Sequence, residues 1–171
     1  EAIESFKACV EFDPTFSDGW FQLAGIYSKT DNFEAEAAAL AAGLYHNPDS
    51  PGLHLANGAR LKRMGDYQAA IREVERAIEL RPEEATPYTE LASLYIIESD
   101  YTKGIELLKK TLSIESLHPL ALSTLTVFHI SEGSEEEARE NIARVMLQPR
   151  ISREDREDLV AKFRQKFGSN P

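Results

Sequence analysis

Apolar residues recur along this chain with the spacing of one helix face. Between Ser17 and Ser50, Trp20, Leu23, Ala24 and Tyr27 stand at i, i+3, i+4 and i+7, which is one side of a 3.6-residue helix. A polar turn at Asp31-Asn32 follows, then an alanine-rich run with Leu40 and Leu44 inward, closing on Asn47-Pro48. Proline lacks a backbone N–H and restricts the residue before it, so it stops that helix. The spacing predicts one helix over 17–30 and a second over 33–45. Copies of the pattern begin at Pro51, Ala85 and Pro119, so the starts 17, 51, 85 and 119 step by 34.

The copies differ in detail. The second has His54 and Asn57 where the first has Trp20 and Leu23, and turns at Gly65-Asp66. The third carries Tyr88, Leu91, Ala92 and Tyr95, and has Ser116 where the closing proline would stand. The fourth, with Leu122, Leu125, Thr126 and Gly133, departs furthest from the pattern. Beyond it, Ser152 followed three residues later by Asp155 reads as a capping-box-like helix start. Leu159, Val160, Phe163 and Phe167 then share one face, and Gly168 reads as the stop.

A helix pair of this period, with Trp or Tyr early and Pro near the end, resembles the tetratricopeptide repeat (TPR). The resemblance implies an all-α fold, a right-handed superhelical solenoid of antiparallel helix pairs. In its frame the chain divides into a half-repeat at 1–16, repeats at 17–50, 51–84, 85–118 and 119–149, and a capping helix and tail at 150–171. Ala2, Phe6, Cys9 and Pro14 then take the small, bulky, small and proline positions of a second helix. The chain is accordingly expected to open mid-repeat, as part of a longer protein, with Cys9 at a packing position. Glu36 departs from the pattern, because the family usually has alanine there. An isolated buried carboxylate is costly, so helix B of that repeat is expected to be rotated slightly.

Charge and composition narrow the function. Acids outnumber bases 29 to 19, for a net charge of −10, which argues against nucleic acid, whose phosphates are bound by clustered Lys and Arg. No apolar run approaches the roughly 18 residues of a membrane span. The single cysteine allows no intrachain disulfide and leaves the compartment open, with the cytoplasm as default and the periplasm equally consistent. There is no nucleophile elbow, phosphate-binding glycine loop or dinucleotide fingerprint, and His46, His54, His118 and His129 lack metal-ligand spacing. No cofactor, metal or catalytic residue is expected.

In TPR proteins the first helix of each repeat lines a concave groove, and the resemblance carries that role onto particular positions here. They are Phe21, Gln22 and Lys29 in the first repeat, Leu55, Lys62 and Arg63 in the second, Glu90, Ser93 and Ile97 in the third, and Thr124 and Val127 in the fourth. Two specialised family grooves fit poorly: the carboxylate-clamping residues are absent, and the asparagine ladder is replaced by Gln22, Ala56, Glu90 and Thr124. What is left is an apolar surface (Phe21, Leu55, Ile96, Ile97, Val127, Ile130) beside a basic corner of Lys29, Lys62 and Arg63. The expectation is a non-catalytic interaction module that binds a peptide or helix with an apolar face, and with an acid near the basic corner. Two other readings are a substrate-recruiting domain attached to an enzyme, and a homodimer or scaffold built through the N-terminal edge or the Phe163/Phe167 face.

Overall fold

The computed structural model describes residues 2–171. Among these residues there are ten α-helices and no strand: α1 (Ala2–Phe12), α2 (Ser17–Lys29), α3 (Phe33–His46), α4 (Pro51–Arg63), α5 (Tyr67–Leu80), α6 (Ala85–Ile97), α7 (Tyr101–Ile114), α8 (Pro119–Glu132), α9 (Glu135–Leu147) and α10 (Arg153–Phe167). Helix starts at 17, 51, 85 and 119 continue to 153, so α10 begins one further 34-residue step along. Among the described residues no helix is long and apolar enough to cross a membrane. The chain forms two compact units, Glu1–Leu94 and Tyr95–Pro171.

One turn recurs four times and creates the helix pairs. The residue two places past the end of α2, α4 and α6 lies in the left-handed region: Asp31 (φ 55°), Gly65 (φ 81°) and Ser99 (φ 65°). Gly133 (φ 82°), one 34-residue step after Ser99, directly follows α8. The next residue sends its N–H back to the helix: Asn32 to the Tyr27 carbonyl, Asp66 to Leu61, Asp100 to Tyr95 and Ser134 to His129, at 2.8 to 3.0 Å. That backbone path closes the first helix and reverses the chain. The same residue then caps the second helix: Asn32, Asp66 and Asp100 accept from the N–H groups of Ala35, Ala69 and Lys103.

A second device ties each first helix to the loop before it. The fourth residue of α2, Trp20, donates its indole N–H to the Pro14 carbonyl (2.9 Å). Tyr88, fourth in α6, donates its hydroxyl to the Pro82 carbonyl (3.0 Å). His54, fourth in α4, sets Nε2 2.8 Å from the Pro48 carbonyl, with Nδ1 2.7 Å from Glu73. The two ring nitrogens thus tie α4 both to the loop before it and to α5. In α8 the fourth residue is Leu122, which has no side-chain donor. There α9 holds the loop instead, through Arg144 to the Ser116 carbonyl and Gln148 to the Leu117 carbonyl.

One core cluster of the first unit is Val10, Leu23, Ala24, Ala39, Leu40 and Leu53, with Ile3, Phe6, Trp20 and Tyr27 packed against it, and α5 and α6 bury Val74, Ala77, Leu91 and Leu94. Small residues set the helix spacing. A Cβ on Gly43 would stand 2.8 Å from Trp20 Cβ, and one on Gly58 would stand 2.8 Å from Val74 Cγ2. Cys9 does not pack as expected: it is exposed, and Ile3, Phe6 and Val10 form the inward face of α1. The repeat frame aligned a small residue there, but the bulkier neighbours meet α2 and turn Cys9 outward.

In the second unit α10 covers two clusters. Leu159 joins Leu122, Val145 and Ile151, while Phe163 joins Ile130, Ala138 and Ile142. Phe163 is fully buried, with Phe167 at a 4.7 Å ring distance and the Arg139 guanidinium 5.1 Å above its ring. Phe163 is therefore consumed inside the chain, and Phe167 is half-buried beside it. Ser152 accepts from the Asp155 N–H (3.0 Å) and donates its hydroxyl to the Asp155 carboxylate (2.6 Å), a reciprocal cap.

Two predictions follow from these elements. A non-glycine residue in the left-handed region costs roughly 1–2 kcal/mol, partly offset by the flexibility glycine adds to the unfolded chain. Ser99→Gly is expected to raise stability by about 0.5–1 kcal/mol, read from the urea midpoint at unchanged slope; a loss would mean the serine side chain holds the turn. Burial pushes the His129 imidazole below its ordinary value of 6.5, with Lys109 lowering it further against an opposing Glu137. The unfolded chain then takes up that proton first, so stability falls as pH drops below about 6.5. His129→Gln should flatten that fall in unfolding curves between about pH 7 and 5.

Candidate functional site

The first unit contains an open groove of about 320 Å³, built from the first helices α2, α4 and α6. Phe21, Ala24, Gly25 and Ser28 line it from α2, Leu55, Ala56, Ala59 and Arg63 from α4, and Thr86 and Glu90 from α6. Phe21 is 42% exposed, and the alanines and Gly25 leave room beside it; a Cβ added to Gly25 would meet nothing within 4 Å. The helical spacing of Phe21, Gly25 and Ser28 on α2, and of Leu55, Ala59 and Arg63 on α4, places these residues on one side of each helix.

The charges at this groove are internally matched. Glu36, from α3, is only 4% exposed, and its carboxylate is held by the Arg63 guanidinium. Arg63 also donates to Ser28 Oγ (3.0 Å) and lies over the Phe33 ring (4.9 Å). Lys62 donates to the Glu90 carboxylate (3.0 Å) and to Ser93 Oγ (2.7 Å). Two expectations change. Helix α3 has not turned Glu36 away; a cation from the next helix pair has come to it. Two of the three cations of the basic corner, Lys62 and Arg63, are engaged by the protein's own carboxylates, and Lys29 is exposed outside the groove.

Of the predicted residues, Phe21, Leu55, Arg63 and Glu90 line this groove, and Lys62 and Ser93 join it through Glu90. Gln22 and Lys29 are exposed on α2 outside the lining. Ile97, Thr124 and Val127 belong to the second unit. Ile97 is exposed near the end of α6, Thr124 is half-buried on α8, and Val127 lines a different groove with Ile130, Ser131, Lys162, Gln165 and Lys166. Ile130 is a correction: it is buried against Ala138, Ile142 and Phe163, because α10 covers that side of α8. Glu36 is the lining residue that the first-helix positions could not reveal; its oddity within an alanine run was the available signal. Among the described residues no group of three or more His, Cys, Asp and Glu is placed to hold a metal ion.

The buried pair yields a test. Removing one partner strands a charge, which costs about 3–5 kcal/mol at a fully buried site. Arg63 is 41% exposed at its side chain, so solvent reduces that cost. Arg63→Ala is expected to lower stability by about 1–2 kcal/mol in thermal or urea unfolding, and adding Glu36→Gln should recover most of the loss. Additive losses would show that the pair does not couple.

A tetratricopeptide-repeat family model matches residues 61–84. The chain is 27% identical over 150 residues to tetratricopeptide repeat protein 21A of Mus musculus, covering 85% of this chain and 11% of that protein. It therefore spans about a tenth of that relative's length. Among solved structures, it is similar to pilF of Pseudomonas aeruginosa (TM-score 0.84, 15% identity, 95% of this chain and 74% of the other). It is also similar to YrrB, described as a TPR protein with an unusual peptide-binding site (TM-score 0.72, 15% identity, 98% and 94%). The structural likenesses show the fold. The ten helices among the described residues, their 34-residue step and these likenesses show an all-α solenoid of the tetratricopeptide-repeat kind, and support a protein–protein interaction module.

Proposed function

We propose that the groove of α2, α4 and α6 binds a peptide or helix of a partner protein through its apolar side chains. The observation that carries this reading is the half-exposed Phe21 lining one groove with Leu55, Gly25, Ala56 and Ala59. Contiguous exposed apolar surface in a cleft marks a contact site. The surrounding ion pairs are satisfied within the protein, so binding energy comes mainly from burying apolar side chains, and the preformed helices lose little entropy. The peptide-binding site in the name of YrrB is consistent with this use.

Phe21→Glu together with Leu55→Glu places two carboxylates in the groove without touching the core. Immobilised wild-type and doubly substituted proteins, both confirmed helical by circular dichroism, would be compared as baits for proteins of the native lysate. The expected outcome is a partner retained by wild type and lost on the variant, with affinity for the purified partner reduced at least about a hundredfold, or roughly 2.7 kcal/mol. Equal retention on both would move the site away from this groove. Val127→Glu, in the second unit, asks separately whether the partner also reaches α8.

A further inference from the structure

A second cleft lies in the first unit, where α1 and α3 flank α2. It encloses about 430 Å³, and its α2 residues are Trp20, Leu23 and Tyr27, which differ from the set that α2 gives to the groove above. The α3 wall is Ala35, Ala38, Ala39 and Ala42.

The second unit holds the same cleft three repeats later, where α7 and α9 flank α8. Adding 102 residues, three steps of 34, maps Lys7 to Lys109, Leu23 to Leu125 and Tyr27 to His129. It also maps Ala35, Ala38 and Ala42 to Glu137, Glu140 and Arg144. The cleft itself therefore belongs to the architecture, and what differs is its chemistry. Where the second unit presents ionised side chains to water, the first presents methyl groups above an indole and a phenol. The positions of Ala38 and Ala42 are filled in α5 by Arg72 and Arg76, so the helix accommodates long charged side chains there.

The rim gives the sign of the occupant. Glu11 lines the cleft from α1, and Glu34 is exposed on the first turn of α3. The only lysine in the lining, Lys7, is paired with Glu4 at 3.4 Å. An apolar floor with an acidic rim, on a chain of net charge −10, complements an apolar face flanked by cations. We infer that the α1–α3 cleft is a second docking surface, for a cationic amphipathic helix of a partner protein, separate from the groove of α2, α4 and α6.

The probe is a labelled 14-residue helical peptide of leucine and lysine, titrated with the whole chain at physiological salt and read by fluorescence anisotropy. Saturable binding is expected, weakened about tenfold or more by Ala38→Arg with Ala42→Arg, with helicity unchanged by circular dichroism. Glu140→Gln with Arg144→Gln, which keeps the equivalent cleft polar, should leave binding as it was. Equal binding by the doubly substituted first cleft would overturn the inference by reducing the effect to general charge attraction. Equal binding of a leucine–glutamate peptide would overturn the assigned sign. Loss of binding in Phe21→Glu with Leu55→Glu, and not in the arginine variant, would overturn the location, and leaves the proposal for the other groove to be judged by its own partner.

Discussion

The structure depends on a backbone constraint, the left-handed residue that ends each first helix. Without that φ the chain continues or unravels, and the second helix does not return along the first. Two of the four positions hold glycine, and two, Asp31 and Ser99, accept the strain. The strain is tolerable because the turn is fixed from both sides: the next backbone N–H bonds into the completed helix, and the side chain of the same residue starts the following one. Within the first unit this turn, after α2 and after α4, brings α2, α4 and α6 to a common cleft. That is how Phe21, Leu55 and Thr86, distant in sequence, come to share a groove.

Electrostatics then decide what the groove is suited to. An excess of ten negative charges suggests a surface that would attract cations everywhere. The groove is an exception, since Glu36 and Glu90 are matched by Arg63 and Lys62. Binding there, as proposed, would rest on shape and apolar contact. The cleft between α1 and α3 combines an apolar lining with Glu11. The two clefts thus draw on different residues of α2: Phe21, Gly25 and Ser28 for one, Trp20, Leu23 and Tyr27 for the other.

Much of the fold was legible in the sequence because two local signals coincide. The 3.6-residue spacing of apolar side chains marks the faces, and Asp-Asn, Gly-Asp and Pro mark the breaks. What stayed hidden depended on partners far along the chain. The Glu36–Arg63 pair joins residues 27 apart on different helix pairs, so Glu36 read as an anomaly and Arg63 as a free cation. Ile130 read as groove because nothing local indicates that α10 lies over it. Cys9 read as packed because the repeat frame records which sizes occur at a position but not which neighbours are present. The 34-residue step to Arg153 was masked because α10 keeps the spacing while losing the signature residues. The groove was legible in part: the first-helix positions identified Phe21, Leu55, Arg63 and Glu90, but no positional rule could say which cations were already engaged.

The contact between Trp20 and Gly43 bears on how such a chain can be rearranged. The indole occupies the space where any side chain at 43 would begin. In the fourth pair the same two positions hold Leu122 and Val145, which share one cluster. In the first pair a large residue on the first helix meets none on the second, and in the fourth two of middle size meet. Recombination that exchanged α3 for α9 would therefore set valine against tryptophan, and the reverse exchange would leave a void beside leucine. The unit that can be shuffled, duplicated or grafted is the matched pair of helices; a single helix is not interchangeable.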